Sequence, residues 1–314
     1  MDEIRTEWKG IGLMLLGITL PQGGDTASRE NIARVAREAE AIGLDSLWVL
    51  DRLFRPRRLM SRVPGSEAQP LPEFYATVFD PLETQTFAAA LTERVLLGTS
   101  VINALFHPPV ILGKRFATLD QLSGGRAIAG LGQGWMADEF AIAGVPMERR
   151  GHGMVEYVEA LRAIWGPDPV QYDGRIYQIP ESDIGPKPVQ PGGIPIVVGC
   201  YAAPAIARAG RIADGLNPLA STWDALVRDV DIFRSAARAA ERDPDTLSVI
   251  LRANATLTDT RASDADRDLF TGTVEQWADD VRRVAELGIE HAFFSIEGPI
   301  DDGLRAMTEL RERV

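Results

Sequence analysis

Apolar positions along the chain alternate between two rhythms. From Ser28 onward, Ile32, Val35, Ala36 and Ala39 recur at helical spacing up to Gly43, and the run that follows, Ser46-Leu47-Trp48-Val49-Leu50, is apolar after its first residue. Spacings of three and four predict an amphipathic helix, and a short unbroken apolar run predicts a strand covered on both faces. The same order returns near the other end. There Val274, Trp277, Ala278, Val281 and Ala285 form one helical face before the strand Ala292-Phe293-Phe294. Thr273 and Gln276 are spaced as a capping box at its start, and Gly288 supplies the stop. The two stretches also match in sequence with one residue skipped, Ala39-Glu40-Ala41-Ile42-Gly43-Leu44-Asp45 beside Ala285-Glu286-Leu287-Gly288-Ile289-Glu290, and Ala205 to Asn217 carries a third copy of this grammar.

Candidate strands fall near 11–18, 46–51, 95–102, 126–131, 194–199, 214–217, 248–256 and 291–296, each followed by a helical pattern. Eight alternations in about 300 residues predict a closed (βα)8 TIM barrel; an open doubly wound sheet gives a similar alternation. No linker interrupts the pattern, so residues 1–314 read as one domain. Two excursions stand out as lids over the C-terminal face: 55–79, rich in Arg and Pro, and 167–193, whose prolines surround the hairpin turn Tyr172-Asp173-Gly174-Arg175.

Composition narrows the function classes. A formal charge of −12 argues against a broad nucleic-acid or anionic-membrane surface, since both would repel the chain. The apolar run from Gly10 to Leu20 is about half a membrane span and follows acidic residues, so it reads as a buried strand. One cysteine, Cys200, excludes a disulfide framework, and three histidines without partner spacing give no support to a metal site. These features point to a cytoplasmic protein acting on a small molecule.

In a barrel, chemistry sits at the C-terminal ends of the strands. The polar residues there are Asp51 and Arg52, Ser100 to Asn103, Gly130 to Trp135, Gly199 to Ala203, Asn217, Asn254 and Glu297. Asp51-Arg52 directly after an apolar strand is a structural ion pair or a ligand contact. The loop Gly130-Leu131-Gly132-Gln133-Gly134-Trp135 is GxGxG, without the later acidic residue of a dinucleotide fold; its glycines imply either close approach to a planar cofactor or a tight turn. Gly199-Cys200-Tyr201-Ala202-Ala203-Pro204 leads into a helix whose first turn holds proline, and its small residues leave amides free for a phosphate, although an ordinary βα turn looks the same. Cys200 reads as a small buried apolar residue. His107, before a helix carrying Lys114, Arg115 and Asp120, reads as a cap or salt link.

Taken together, Leu119-Asp120-Gln121-Leu122-Ser123-Gly124-Gly125-Arg126, the Gly130 to Trp135 loop, Asp138-Glu139-Phe140, Gly144-Val145-Pro146, Gly98-Thr99-Ser100-Val101, Pro186-Lys187-Pro188-Val189-Gln190 and Ile196-Val197-Val198-Gly199 resemble the luciferase-like flavin and deazaflavin monooxygenase superfamily, in its order and across most of the chain. The resemblance implies a (βα)8 barrel that binds coenzyme F420 or FMN, commonly as a homodimer, and is strongest to the F420-dependent oxidoreductase branch. It places Asp51 beside the ring and makes Ser100–Val101 a cis peptide bulge behind it. Asn103 and Gly132, Gln133, Gly134 and Trp135 would line the cofactor, and Gly199, Cys200, Tyr201, Ala202 and Ala203 would receive its phosphate. Relatives that oxidise alcohols carry His and Glu where this chain has Arg52 and Gln133, and neither of these is a proton shuttle. The expectation is therefore hydride transfer from F420 to an unsaturated or carbonyl compound, with Asp51, Arg52 and Gln133 as catalytic residues and Arg52 stabilising developing negative charge. The competing readings are an FMN-dependent monooxygenase served by a reductase and a cofactor-free binding barrel.

Overall fold

The computed structural model describes residues 14–57, 60–61, 69–219, 221–264 and 267–314. Its eight principal strands are β1 (Leu15–Thr19), β2 (Ser46–Val49), β3 (Leu96–Thr99), β4 (Ala127–Gly132), β5 (Ile196–Val198), β6 (Gly215–Leu216), β7 (Ser248–Leu257) and β8 (His291–Ile296). They pair in parallel in chain order. Leu15 lies opposite His291 and Ile196 opposite Ala129, so the ring of strands closes into the expected barrel. The first predicted strand is described only from residue 14.

Helices α1 (Arg29–Ala41), α2 (Pro81–Ala89), α3 (Pro109–Ser123), α4 (Ala137–Ile142), α5 (His152–Trp165), α6 (Ala203–Ile212), α7 (Trp223–Ala239), α8 (Val274–Glu286) and α9 (Ile300–Arg313) surround it. Their buried stripes are those the spacing predicts, Ile32, Val35, Ala36 and Ala39 on α1 and Val274, Trp277, Ala278 and Val281 on α8. Ser28 Oγ accepts from the Asn31 amide at 3.1 Å at the head of α1, and the Thr273 amide donates to Gln276 Oε1 at 3.3 Å at the head of α8. These bonds occupy amides that a helix start leaves without partners.

Two apolar cores result. The larger lies between strands and helices, and a smaller one of Trp48, Ile128, Val197, Ile250 and Phe293 fills the barrel itself. Trp48 stacks on Phe293 with centroids 4.2 Å apart; a Cβ on Gly98 would come 2.4 Å from the indole, so the plug depends on that glycine. At its lower edge the Trp48 indole donates to Ser46 Oγ at 2.8 Å, and that oxygen lies 2.7 Å from His291 Nε2.

Burial drives the His291 imidazole down to about 3. The unfolded chain takes up this proton below about 6.5 while the fold refuses it until about 3, so stability falls as pH drops through that window. At roughly 1.4 kcal/mol per pH unit, the share lost between pH 6.5 and pH 5 is about 2 kcal/mol. Urea unfolding at both pH values measures it. His291→Gln is expected to flatten the dependence, and equal slopes in the two proteins would refute the assignment.

The excursions differ from expectation. In 55–79, residues 58–59 and 62–68 lie outside those described. What is described meets the C-terminal ends of β1 and β2: the Phe79 amide donates to Gln22 O at 2.9 Å, and Gln22 Nε2 donates to Leu50 O at 3.0 Å and to Phe79 O at 2.7 Å. The segment 167–193 is not a lid rooted on a strand end. It follows α5 and precedes β5, and such helix-to-strand connections belong to the N-terminal face of a barrel. There the Val189 amide donates to Asp120 Oδ2 at 2.7 Å, and Gln190 Nε2 donates to Ala127 O at 2.9 Å. Its hairpin, Val170–Asp173 with Gln178–Ser182, lies along α5, with Tyr172 Oη donating to Glu159 at 2.7 Å and the Ile176 amide to Glu156 at 2.8 Å.

Candidate active site

Asp51 leaves β2 at the C-terminal mouth and is buried. Its Oδ2 accepts from the Asn103 amide at 3.0 Å, which ties the exits of β2 and β3 together. Burial raises its carboxyl above the ordinary range; the Asn103 amide and His107 oppose the shift. His107 is driven down by burial in turn, with Asp51 pulling the other way. Desolvation thus favours the uncharged form of each partner. The His107 side chain does not cap α3, whose N-cap is Pro108, but its amide closes the short turn before it by donating to Ala104 O at 3.0 Å.

The Ser100–Val101 peptide is cis, as the resemblance implies. Ser100 Oγ donates to Asn217 Oδ1 at 2.7 Å, and Asn217 Nδ2 donates to Ile250 O at 2.7 Å, so this bulge is held from across the mouth. The Val101 side chain wedges between the ends of β4 and β5. A Cβ on Gly132 would lie 2.4 Å from one Val101 methyl, and one on Gly199 would lie 2.6 Å from the other. Both glycines therefore answer first to the packing of the bulge. Gly134 is a turn residue at φ 73°.

Arg52 and Glu139 form a pair that the sequence does not announce. Arg52 Nη1 donates to Glu139 Oε2 at 2.7 Å, and Glu139 Oε1 accepts from the Leu53 amide at 3.1 Å. The side chains are only 8% and 0% exposed. Burial raises the Glu139 carboxyl, with Arg52 pulling it back. The guanidinium also faces the rings of Tyr75 at 4.6 Å and Trp135 at 5.4 Å, an arrangement that fixes its plane. Its Nε is buried with no acceptor among the described residues. Gln133 turns aside, its Oε1 accepting from the Gly151 amide at 3.0 Å.

After β5, the Gly199 amide donates to Leu131 O at 2.9 Å, but the amides of Cys200, Tyr201 and Ala202 donate to no acceptor among the described residues. Ala202 is the N-cap of α6, and proline stands in the first turn. Burial pushes the Cys200 thiol up to about 12, which fits an inert packing residue. Asn254 and Glu297 are exposed. Among the described residues, no group of three or more His, Cys, Asp or Glu is placed to hold a metal. A cavity of about 580 Å³ lies at the opposite end of the barrel, lined by Leu15, Pro195, Asp214, Ser248 and His291, so cavity size does not mark this site.

Three residues of the mouth escaped the sequence reading as site residues: Glu139, Tyr75 and Arg252. Arg252 was legible, because it stands two positions after the interior Ile250 and so shares its inward parity.

A family model described as luciferase-like monooxygenase matches residues 11–277. The chain belongs to that family. Within it, an uncharacterized protein of Mycobacterium tuberculosis (strain ATCC 25618 / H37Rv) is 37% identical over 202 residues, 64% of this chain and 69% of that one. An F420-dependent glucose-6-phosphate dehydrogenase of Amycolatopsis mediterranei (strain U-32) is 30% identical over 219 residues, 68% of this chain and 60% of that one. The coenzyme F420 dependent tetrahydromethanopterin reductase from Methanopyrus kandleri superposes with a TM-score of 0.75 at 19% identity, covering 96% of this chain and 98% of its own, a likeness of fold. The luciferase-like chain is thus an oxidoreductase-family barrel with relatives that use F420.

Proposed function

We propose that this luciferase-like protein is an F420-dependent oxidoreductase that passes hydride to an unsaturated or carbonyl group of a small organic substrate. The observation that carries the reading is the set of donors left open around one mouth: the buried Arg52 Nε and the amides of Cys200, Tyr201 and Ala202. A buried donor without an acceptor, such as Nε, is rare and asks for one, while the amides beside exposed Tyr201 stand open at a helix start, where a phosphate binds; a ligand with an anionic ring and a phosphate offers both kinds of acceptor. The residues present therefore fit the cofactor. Asp51, Ser100, Val101, Asn103 and Gly132 to Trp135 would hold the ring, and Gly199 to Ala203 its phosphate. When bound, the deazaflavin supplies the hydride.

The chain's own residues do the rest. Asp51, whose carboxyl burial raises above the ordinary range, is placed to give or take a proton at the mouth, while Arg52 donates toward negative charge. Glu139 fixes the guanidinium, and Gln133, bound to Gly151, holds its loop in place. A relative named as F420-dependent at 30% identity supports the deazaflavin over FMN.

Titration of the purified protein with F420 and with FMN, followed by fluorescence, tests this reading; tighter binding of FMN would overturn it in favour of a monooxygenase. Ala202→Pro sharpens the test. The φ of −83° at Ala202 admits proline, so the change deletes one amide with little else. A loss of roughly tenfold in F420 affinity is expected if that bond contributes about 1.5–3 kcal/mol, and an unchanged affinity would remove the phosphate from this turn.

A further inference from the structure

A second guanidinium reaches the mouth, and it has no counter-ion among the described residues. Arg252 stands on β7 opposite Phe293, two residues past Ile250 of the interior plug. The plug closes the barrel beneath it, so its open side is the mouth. Its Nε donates to Asn254 Oδ1 at 3.1 Å and its Nη1 to Ser100 O at 3.3 Å; Nη2 has no acceptor among the described residues. No carboxylate of the described residues pairs with it, although Arg52, on the same rim, is matched by Glu139.

Arg126 gives a contrast within the same chain. It is buried without a carboxylate, but its five N–H groups meet the carbonyls of Ser123, Val95, Ala89 and Thr92 and the Thr92 hydroxyl, all at 3.0 Å or less. That is how a purely structural arginine is satisfied here. Arg252 has two acceptors, one from its own strand and one from the bulge that backs the site. Desolvation lowers the pKa of its guanidinium, with Tyr75 pulling the other way. The strand-to-helix connections around this mouth also leave Leu53, Phe74, Phe79 and Leu219 exposed. A forked cation in an apolar rim suits a small molecule with an oxyanion at one end and an apolar body at the other.

We propose that Arg252 anchors the substrate by an oxyanion, a carboxylate or a phosphate, so that the compound reduced is a small organic acid. The inference rests on the hydride-transfer reading for the word substrate, but its test does not depend on turnover. Calorimetric titration of the F420-loaded protein with cinnamate, crotonate and inorganic phosphate, with cinnamamide as the uncharged control, is compared among wild type, Arg252→Gln and Arg252→Lys.

At least one of the three anions is expected to bind wild type, at least tenfold more weakly to Arg252→Gln, with partial recovery in Arg252→Lys. Cinnamamide is expected to be indifferent to both substitutions, and F420 affinity to stay within twofold, which also reports an intact fold. Failure of all three anions to bind wild type, or equal binding to Arg252→Gln, overturns the proposal. A fall in F420 affinity with anion binding unchanged also overturns it, assigning Arg252 to the cofactor. If F420 itself does not bind while an Arg252-dependent anion site persists in the unloaded protein, the anchor stands and the cofactor reading falls.

Discussion

Replacing Glu139 with alanine is expected to destabilise the fold by about 3–5 kcal/mol, the range for stripping one partner from a buried ion pair. The cause is what remains. The Arg52 side chain is 8% exposed, its Nε has no acceptor among the described residues, and a guanidinium cannot shed its charge. The Leu53 amide loses its acceptor at the same time. Arg52→Met should cost less, because the carboxylic acid left behind can take a proton, and burial already raises its pKa. The double change Glu139→Leu with Arg52→Met, which leaves no charge behind, is expected to recover much of the loss. Urea unfolding of the four proteins at pH 7 checks the order. Equal costs for the two single changes would mean that the pair is solvated and carries little.

The asymmetry bears on what Arg52 does. A guanidinium held at Nη1 by Glu139 and flanked by Tyr75 and Trp135 keeps further N–H donors, the buried Nε among them, and their directions are fixed with its plane. It can hydrogen-bond to a bound molecule but cannot swing to follow it. Such preorganisation is what makes a donor effective against developing charge. The same pair joins the exit of β2 to α4, so it also sets the position of the Gly132 to Trp135 loop.

Which parts of this were legible in sequence follows from how local each signal is. The strands near 46–51, 126–131 and 291–296 announce themselves as apolar runs beside glycine stops, and the structure places strands there at Ser46–Val49, Ala127–Gly132 and His291–Ile296. Those signals span a few residues. The partnership of Arg52 with Glu139 spans 87 positions and depends on barrel closure to bring α4 under β2. No spacing rule reaches that far. Residues 167–193 misled for a different reason: proline content marks a connection but not the face it lies on, which is decided by whether a helix or a strand precedes it. Here α5 precedes it, and the helical pattern from His152 to Trp165 carried that answer. The glycines at 132 and 199 show a third limit. The 130–135 loop reads as close approach or a tight turn and the turn after β5 as free amides, but at both glycines the approaching group is the Val101 side chain, which the bulge at Ser100–Val101 brings there.

Asp51→Asn is expected to lower turnover of an accepted substrate by roughly 10²- to 10³-fold, the scale for losing a positioned general acid. The Asn103 amide holds Oδ2 at 3.0 Å, and an asparagine oxygen can accept the same bond, so the exits of β2 and β3 stay joined in the variant. What asparagine cannot do is give up a proton. Burial raises the Asp51 carboxyl above the ordinary range, so the acid form persists to higher pH than in water. If Asp51 supplies the proton that completes reduction, turnover is flat at low pH and falls as pH rises through that elevated value, because the donor is then lost. Reading the reaction backwards reverses the sign: oxidation needs the carboxylate and should rise over the same window. Steady-state kcat across pH 4 to 9, in wild type and Asp51→Asn, separates these cases, with F420 affinity measured alongside. The falling limb should vanish in the variant while cofactor affinity changes little. A variant that keeps the limb would place the titrating group elsewhere, His107 being the nearest candidate, and a variant that loses cofactor binding in proportion to turnover would make Asp51 a ring contact without a role in proton transfer.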